Sequence, residues 1–71
     1  MDIEVGQLLK QDIMISTPEG ECEMFRPAIV VEISDIESIS GEMNRFYRLH
    51  IGDKLLWYAD SELDSEKISI I

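Results

Sequence analysis

Cysteine occurs once in this sequence, at Cys22, so no internal disulfide can form and a reducing compartment, the cytoplasm, is the expected setting. Histidine also occurs once, at His50. A structural zinc site takes about four Cys or His ligands, so no metal is expected. No apolar run approaches the roughly 18 residues of a membrane span. Asp2 and Glu4 stand where a secretory leader would carry positive charge, so no leader and no membrane association are expected. Basic residues are scarce, six against fifteen acidic ones, for a formal net charge of -9. Such a chain repels nucleic-acid phosphates and anionic lipid, and its field favours encounter with a basic protein. The four glycines form no phosphate-cradling loop, and no cofactor is expected.

What is present is a folding pattern. Apolar residues make up 45% of the 71 residues and cluster in short runs between turn residues, which excludes disorder and fits one domain over residues 1–71. A chain this short buries only about 60% of the surface its unfolded form exposes. Its core is thin, and a stability of about 3–5 kcal/mol is ordinary at this size. A binding surface is easier to build on such a scaffold than a buried catalytic cleft.

Along the chain, Ile3 and Val5 alternate as an opening strand, and Gly6 makes a bend. Asp12 to Ser16 alternates, with Ile13 and Ile15 on one face. Thr17-Pro18-Glu19-Gly20 is a turn, since proline presets φ and glycine accepts positive φ. Glu21 to Arg26 continues as an extended arm, which Pro27 is expected to end or to leave at a sheet edge. Ala28 to Ser34 is rich in β-branched residues, with Ile29, Val31 and Ile33 expected on one face. A long loop, Asp35 to Asn44, follows with its tip at Ser40-Gly41.

Arg45 to Ala59 reads as a hairpin closed by the two-residue turn Gly52-Asp53. That closure sets Ile51 opposite Lys54, His50 opposite Leu55, Leu49 opposite Leu56, Arg48 opposite Trp57 and Tyr47 opposite Tyr58. Like residues then meet on each face, and Arg48 lies beside the Trp57 ring as a cation–π pair. Asp60 to Leu63 is one helical turn, capped by Asp60 or Ser61 and anchored by Leu63. Lys67 to Ile71 is a final strand with Ile68 and Ile70 on one face. About five short strands, with a helical turn before the last, predict a mainly β fold, a small barrel that hides its sheet edges by closure.

This ordering resembles the SH3-like barrel, and it is most similar to small uncharacterised bacteriophage-encoded proteins with that fold. The resemblance rests on Val5-Gly6-Gln7-Leu8-Leu9, on Ala28-Ile29-Val30-Val31-Glu32-Ile33, and on the ending Ile51-Gly52-Asp53-Lys54-Leu55-Leu56-Trp57-Tyr58-Ala59-Asp60-Ser61-Glu62-Leu63. It implies a five-stranded barrel and a viral source acting in the host cytoplasm, with no activity attached. Unlike the signalling SH3 domains, Asp2 to Ser16 contains no aromatic residue, so the usual proline-rich ligand groove is not implied.

Few residues invite chemistry. Cys22 and His50 would make a nucleophile pair only if the fold joined them. Cys22 alternates with Met24, which predicts a packed or partly packed thiol. Asp60, Glu62, Asp64 and Glu66 echo a calcium loop, but Ser65 stands where that loop needs glycine, and a solvated acidic turn is the better reading. No enzyme is expected. Trp57 is predicted on the outward face with Arg48 and His50, and these three with Phe46 are the candidate contact residues. Glu19, Glu21, Glu23, Asp60 and Glu62 are candidates for steering a partner. The leading expectation is a non-enzymatic module binding a host or viral protein. Two others are an acidic DNA mimic that inhibits a nucleic-acid-binding protein, and a self-associating structural subunit.

Overall fold

Turn chemistry and β-branched runs set the architecture. The computed structural model describes residues 2–71. In chain order the elements are β1 (Leu8–Thr17), β2 (Gly20–Glu37), β3 (Met43–Ile51), β4 (Lys54–Ala59), α1 (Asp60–Ser65) and β5 (Ile68–Ile70). The strands form one antiparallel five-stranded sheet in the order β4-β3-β2-β1-β5. The mainly β expectation therefore holds at that level. The sheet is open: β4 and β5 are its edges, and among the described residues no ladder joins them. The connection between those edges carries α1, which packs against β3, β4 and β5 and covers one sheet face.

That covered face holds the core: Ile3, Leu9, Ala28, Val30, Tyr47, Leu49, Ile51, Leu63 and Ile68, with Ile33 and Tyr58 packed against it. Leu63 is the anchor of α1, as its place in the acidic turn predicts. The cap differs from expectation. Ala59, extended at φ -70° and ψ 153°, is the residue before the first turn. Its amide donates to Oε1 of Glu62 at 2.9 Å. The glutamate reaches back to the chain, and neither Asp60 nor Ser61 takes the cap position.

Both tight turns form where the residues place them. The β1–β2 hairpin closes over Pro18-Glu19, with Thr17 opposite Gly20. The Thr17 hydroxyl donates to the Gly20 carbonyl at 2.6 Å and accepts from the Glu19 amide at 3.3 Å. The β3–β4 hairpin closes over Gly52-Asp53 with Gly52 at φ 63°, a left-handed conformation that glycine adopts at no steric cost.

Three local expectations are corrected, and one is met in its second form. Ile3 and Val5 do not form a strand. A turn at Val5-Gly6 sends Ile3 into the core and leaves Val5 exposed. At Pro27 the second of the two expected outcomes is found: β2 runs through it with Lys10 opposite, and its other side is a sheet edge. The proline is tolerated because β3 pairs only from Ala28 onward, so its missing N–H faces a side where no strand lies among the described residues. Ile29, Val31 and Ile33 do not share a face. The β2–β3 register shifts between Val30 and Glu32, and this bulge at Val31 reverses the alternation. Val30 before it and Ile33 after it both turn to the core. Finally, half of the expected loop from Asp35 to Asn44 is strand. Residues 38–42 alone connect β2 to β3, tied by Ser38 N to Glu42 O at 2.8 Å and Gly41 N to Ser38 O at 3.0 Å.

An 18-residue strand such as β2 would be about 60 Å long if straight. The molecule extends 50 × 25 × 21 Å, with β2 bent at its bulge. The far half of the β1–β2 hairpin, from Asp12 to Phe25, projects beyond β3 and β5 as a two-stranded arm.

Candidate interaction face

Directly opposed residues of an antiparallel pair point to the same face, so the registers assemble rows of side chains across the sheet. On the face away from the core, one row runs Leu8, Ile29, His50, Leu55 across β1 to β4. The next runs Glu32, Arg48, Trp57, and a third Ser34, Phe46, Ala59. The four candidates Trp57, Arg48, His50 and Phe46 therefore share one face, as the hairpin register predicts. The predicted pairing of β3 with β4 is found pair for pair.

The middle row has defined geometry. The Arg48 guanidinium lies 5.9 Å from the Trp57 ring centre, a cation–π contact. Its Nη1 is 3.5 Å from Oε1 of Glu32. The carboxylate and the ring hold the guanidinium between them across three strands. Trp57 is 46% exposed and Arg48 is half-buried, so the pair presents a flat aromatic and cationic surface to solvent. Leu8 and Leu55 are exposed on either side of His50, and Phe46 is half-buried at the far end of the face. Glu32, Leu8, Ile29 and Leu55 were not among the sequence candidates. Leu55 and Glu32 had readable signals: one is opposite His50 in the hairpin, the other sits in the strand before it.

On the opposite face, next to Ile33 and Tyr47, Asp35 and Arg45 form a forked ion pair, with Nε to Oδ1 at 2.8 Å and Nη2 to Oδ2 at 3.2 Å. The hydrogen bond from Arg45 holds the Asp35 carboxyl below its ordinary value, and the same bond raises the guanidinium. Both groups are exposed, so the pair fixes local geometry more than it stabilises the fold. On the core face, burial raises the phenols of Tyr47 and Tyr58. The carboxylates of Asp60 and Glu66 add to the rise at Tyr47 and Tyr58 respectively.

The steering candidates are not gathered around Trp57. Glu19, Glu21 and Glu23 lie on the projecting arm, while Asp60 and Glu62 lie in the first turn of α1. Glu62 is committed to the Ala59 amide. Asp64 and Glu66 follow at the end of α1, and among the described residues no three acidic, His or Cys side chains converge as metal ligands.

Cys22 is exposed, which corrects the expectation of a packed thiol. It sits opposite Ile15 on the arm. His50 sits opposite Ile29, on the other face of the sheet and about 23 Å further along β2. The two do not form a nucleophile pair. No described helix is long and apolar enough to cross a membrane. Compared with protein families, with curated proteins and with solved structures, the chain matches none.

Proposed function

We propose that this chain is a non-enzymatic protein-interaction module that uses the outer face of β3 and β4. The observation that carries this reading is the exposed Trp57–Arg48 pair, flanked by Leu55 and His50 in the adjoining row. Aromatic and arginine side chains carry much of the binding energy at protein interfaces, and a pre-ordered pair loses little freedom on binding. A helical turn before the last strand is in keeping with an SH3-like relationship. A phage-type accessory protein acting in the host cytoplasm on a host or viral protein fits the small size and the charge. A basic partner surface suits an overall charge of -9, which speeds encounter while the aromatic face supplies the lasting contact.

The test is capture from a bacterial lysate at low and high salt, with Trp57→Ala as control. The captured protein is then titrated against the purified chain while the emission of Trp57, its single tryptophan, is followed. A partner retained at high salt, lost in the variant and shifting the emission supports this face. A basic partner lost at high salt and indifferent to Trp57 overturns it in favour of the charge-mimic reading.

A further inference from the structure

The projecting arm carries a second surface, independent of Trp57. Val30 shows which way the backbone of β2 points. Its amide donates to the Gln7 carbonyl at 3.1 Å and its carbonyl accepts from the Gly6 amide at 2.8 Å, both on the β1 side. The β1–β2 register runs without a shift from Leu8 opposite Ile29 to Thr17 opposite Gly20. Backbone groups alternate sides along a strand, so the even-numbered residues of this stretch turn toward β1 and the odd-numbered ones turn away. β3 reaches only to Ala28, so nothing among the described strands lies beside that open side. Glu21, Glu23 and Phe25 therefore present their N–H and C=O groups along a free edge. Pro27 ends it, since it offers a carbonyl but no donor.

The side chains along this edge alternate in character. Glu21, Glu23 and Phe25 share the face of Ser16, Met14 and Asp12. Cys22 and Met24 share the other face with Ile15 and Ile13, and that stretch holds no charge. All of the edge residues are exposed.

We propose that the free edge of β2 from Glu21 to Phe25 accepts an extended segment of a partner protein as an added strand. The segment alternates lysine or arginine with β-branched or apolar residues. An added strand places its own alternate residues on the two faces of the ribbon. Cationic residues then meet Glu21 and Glu23, and apolar ones extend the Ile13–Met24 face. A second copy of this chain is disfavoured at the same edge, because it sets glutamate against glutamate between molecules that each carry -9.

The probe is a terminally blocked Lys-Val-Lys-Val-Lys-Val peptide, followed by amide NMR and hydrogen exchange on the full chain. The expected result is perturbation and slowed exchange at Glu21, Glu23 and Phe25, with Trp57 unaffected. Glu21→Lys with Glu23→Lys should weaken the peptide about tenfold or more. These side chains are exposed on the arm, so the body stays folded. A peptide methylated at alternate backbone nitrogens keeps the charge but not the ladder, and its binding should be lost. Three results would overturn the proposal: equal binding of the methylated peptide, perturbation at the Trp57 face instead, or the same amides protected by self-association without peptide.

Discussion

Leu9 and Ile15 stand on the same strand, on the same face, six residues apart, yet Leu9 is 0% exposed and Ile15 is 40% exposed. The difference lies in what covers them. At Leu9 the sheet is five strands wide, and Leu63 of α1 belongs to the same core. At Ile15 it is two strands wide, and among the described residues α1 does not pack against β1. A two-stranded ribbon alone is marginal in water, since it gathers too little burial to offset the ordering of its backbone. The arm is therefore held by its continuity with the body. Its apolar residues face solvent in a position where a partner, not the chain's own core, can cover them.

The sharpest way to break this comparison is to truncate its buried member. Leu9→Ala removes a fully buried side chain between Ala28 and Ile70 and should cost about 2–5 kcal/mol. Against a total of about 3–5 kcal/mol, that leaves much of the chain unfolded at room temperature, as chemical denaturation will read. A loss below about 1 kcal/mol would mean that the core is looser than its burial indicates.

The alkaline limb probes the body from another side. Burial, aided by Asp60 and Glu66, raises Tyr47 and Tyr58 above the ordinary phenol value of 10.0. The fold thus holds their neutral forms. That contribution is intact below the unfolded value and is lost as pH rises through the raised ones. Denaturation midpoints should fall as pH rises above about 10, and Tyr47→Phe should reduce the fall. An unchanged slope in that variant would place the alkaline loss elsewhere. At the acid end the sign reverses. Asp35 is lowered by Arg45, so its contribution is present at neutral pH and lost as pH falls through the depressed value.

The β3–β4 hairpin was legible because two independent signals agree there. Gly52-Asp53 fixes the register, and that register pairs Tyr47 with Tyr58 and Leu49 with Leu56. The bulge was not legible, because Ile29, Val30, Val31 and Ile33 are all apolar and either alternation looks equally good. Nor was the arm. The alternation of Cys22 with Met24 is real, but alternation says which residues share a face, not whether anything covers it. The candidate face was read only within one hairpin. Glu32 and Leu8 join it through β2–β3 and β1–β2 pairings, the first of them displaced by the bulge. Closure was inferred from the number and order of short strands and from the need to hide their edges, whereas the sheet remains open with α1 laid across its inner face.

The two hairpin turns sharpen the comparison at lower energy. Gly52 at φ 63° closes the β3–β4 hairpin in the body, and Gly20 at φ 125° closes the arm. An alanine at either position is strained. Gly52→Ala should lower global stability by about 1–2 kcal/mol, because Ile51 beside it belongs to the core. Gly20→Ala introduces no less strain, but the tip can open alone, so faster amide exchange confined to the arm should replace a shift of the midpoint.

The smallest expected effect is the most informative about the arm. Ile15→Thr keeps a β-branched residue, so the strand preference of the site is retained while its apolar character is reduced. In the folded chain the side chain has Cys22 opposite it and solvent above, so little burial is lost. Global stability should stay within about 0.5 kcal/mol of the parent, the range of surface substitutions. A loss approaching that of Leu9→Ala would mean that the arm's apolar face is covered in the free molecule, by the chain itself or by a second copy. A concentration series would separate these two covers, because cover by a second copy is strengthened by mass action and internal cover is not. With no loss, the face is free. The edge at Glu21 to Phe25 then stands beside an uncovered apolar ribbon, the setting in which an added strand gains burial as well as hydrogen bonds.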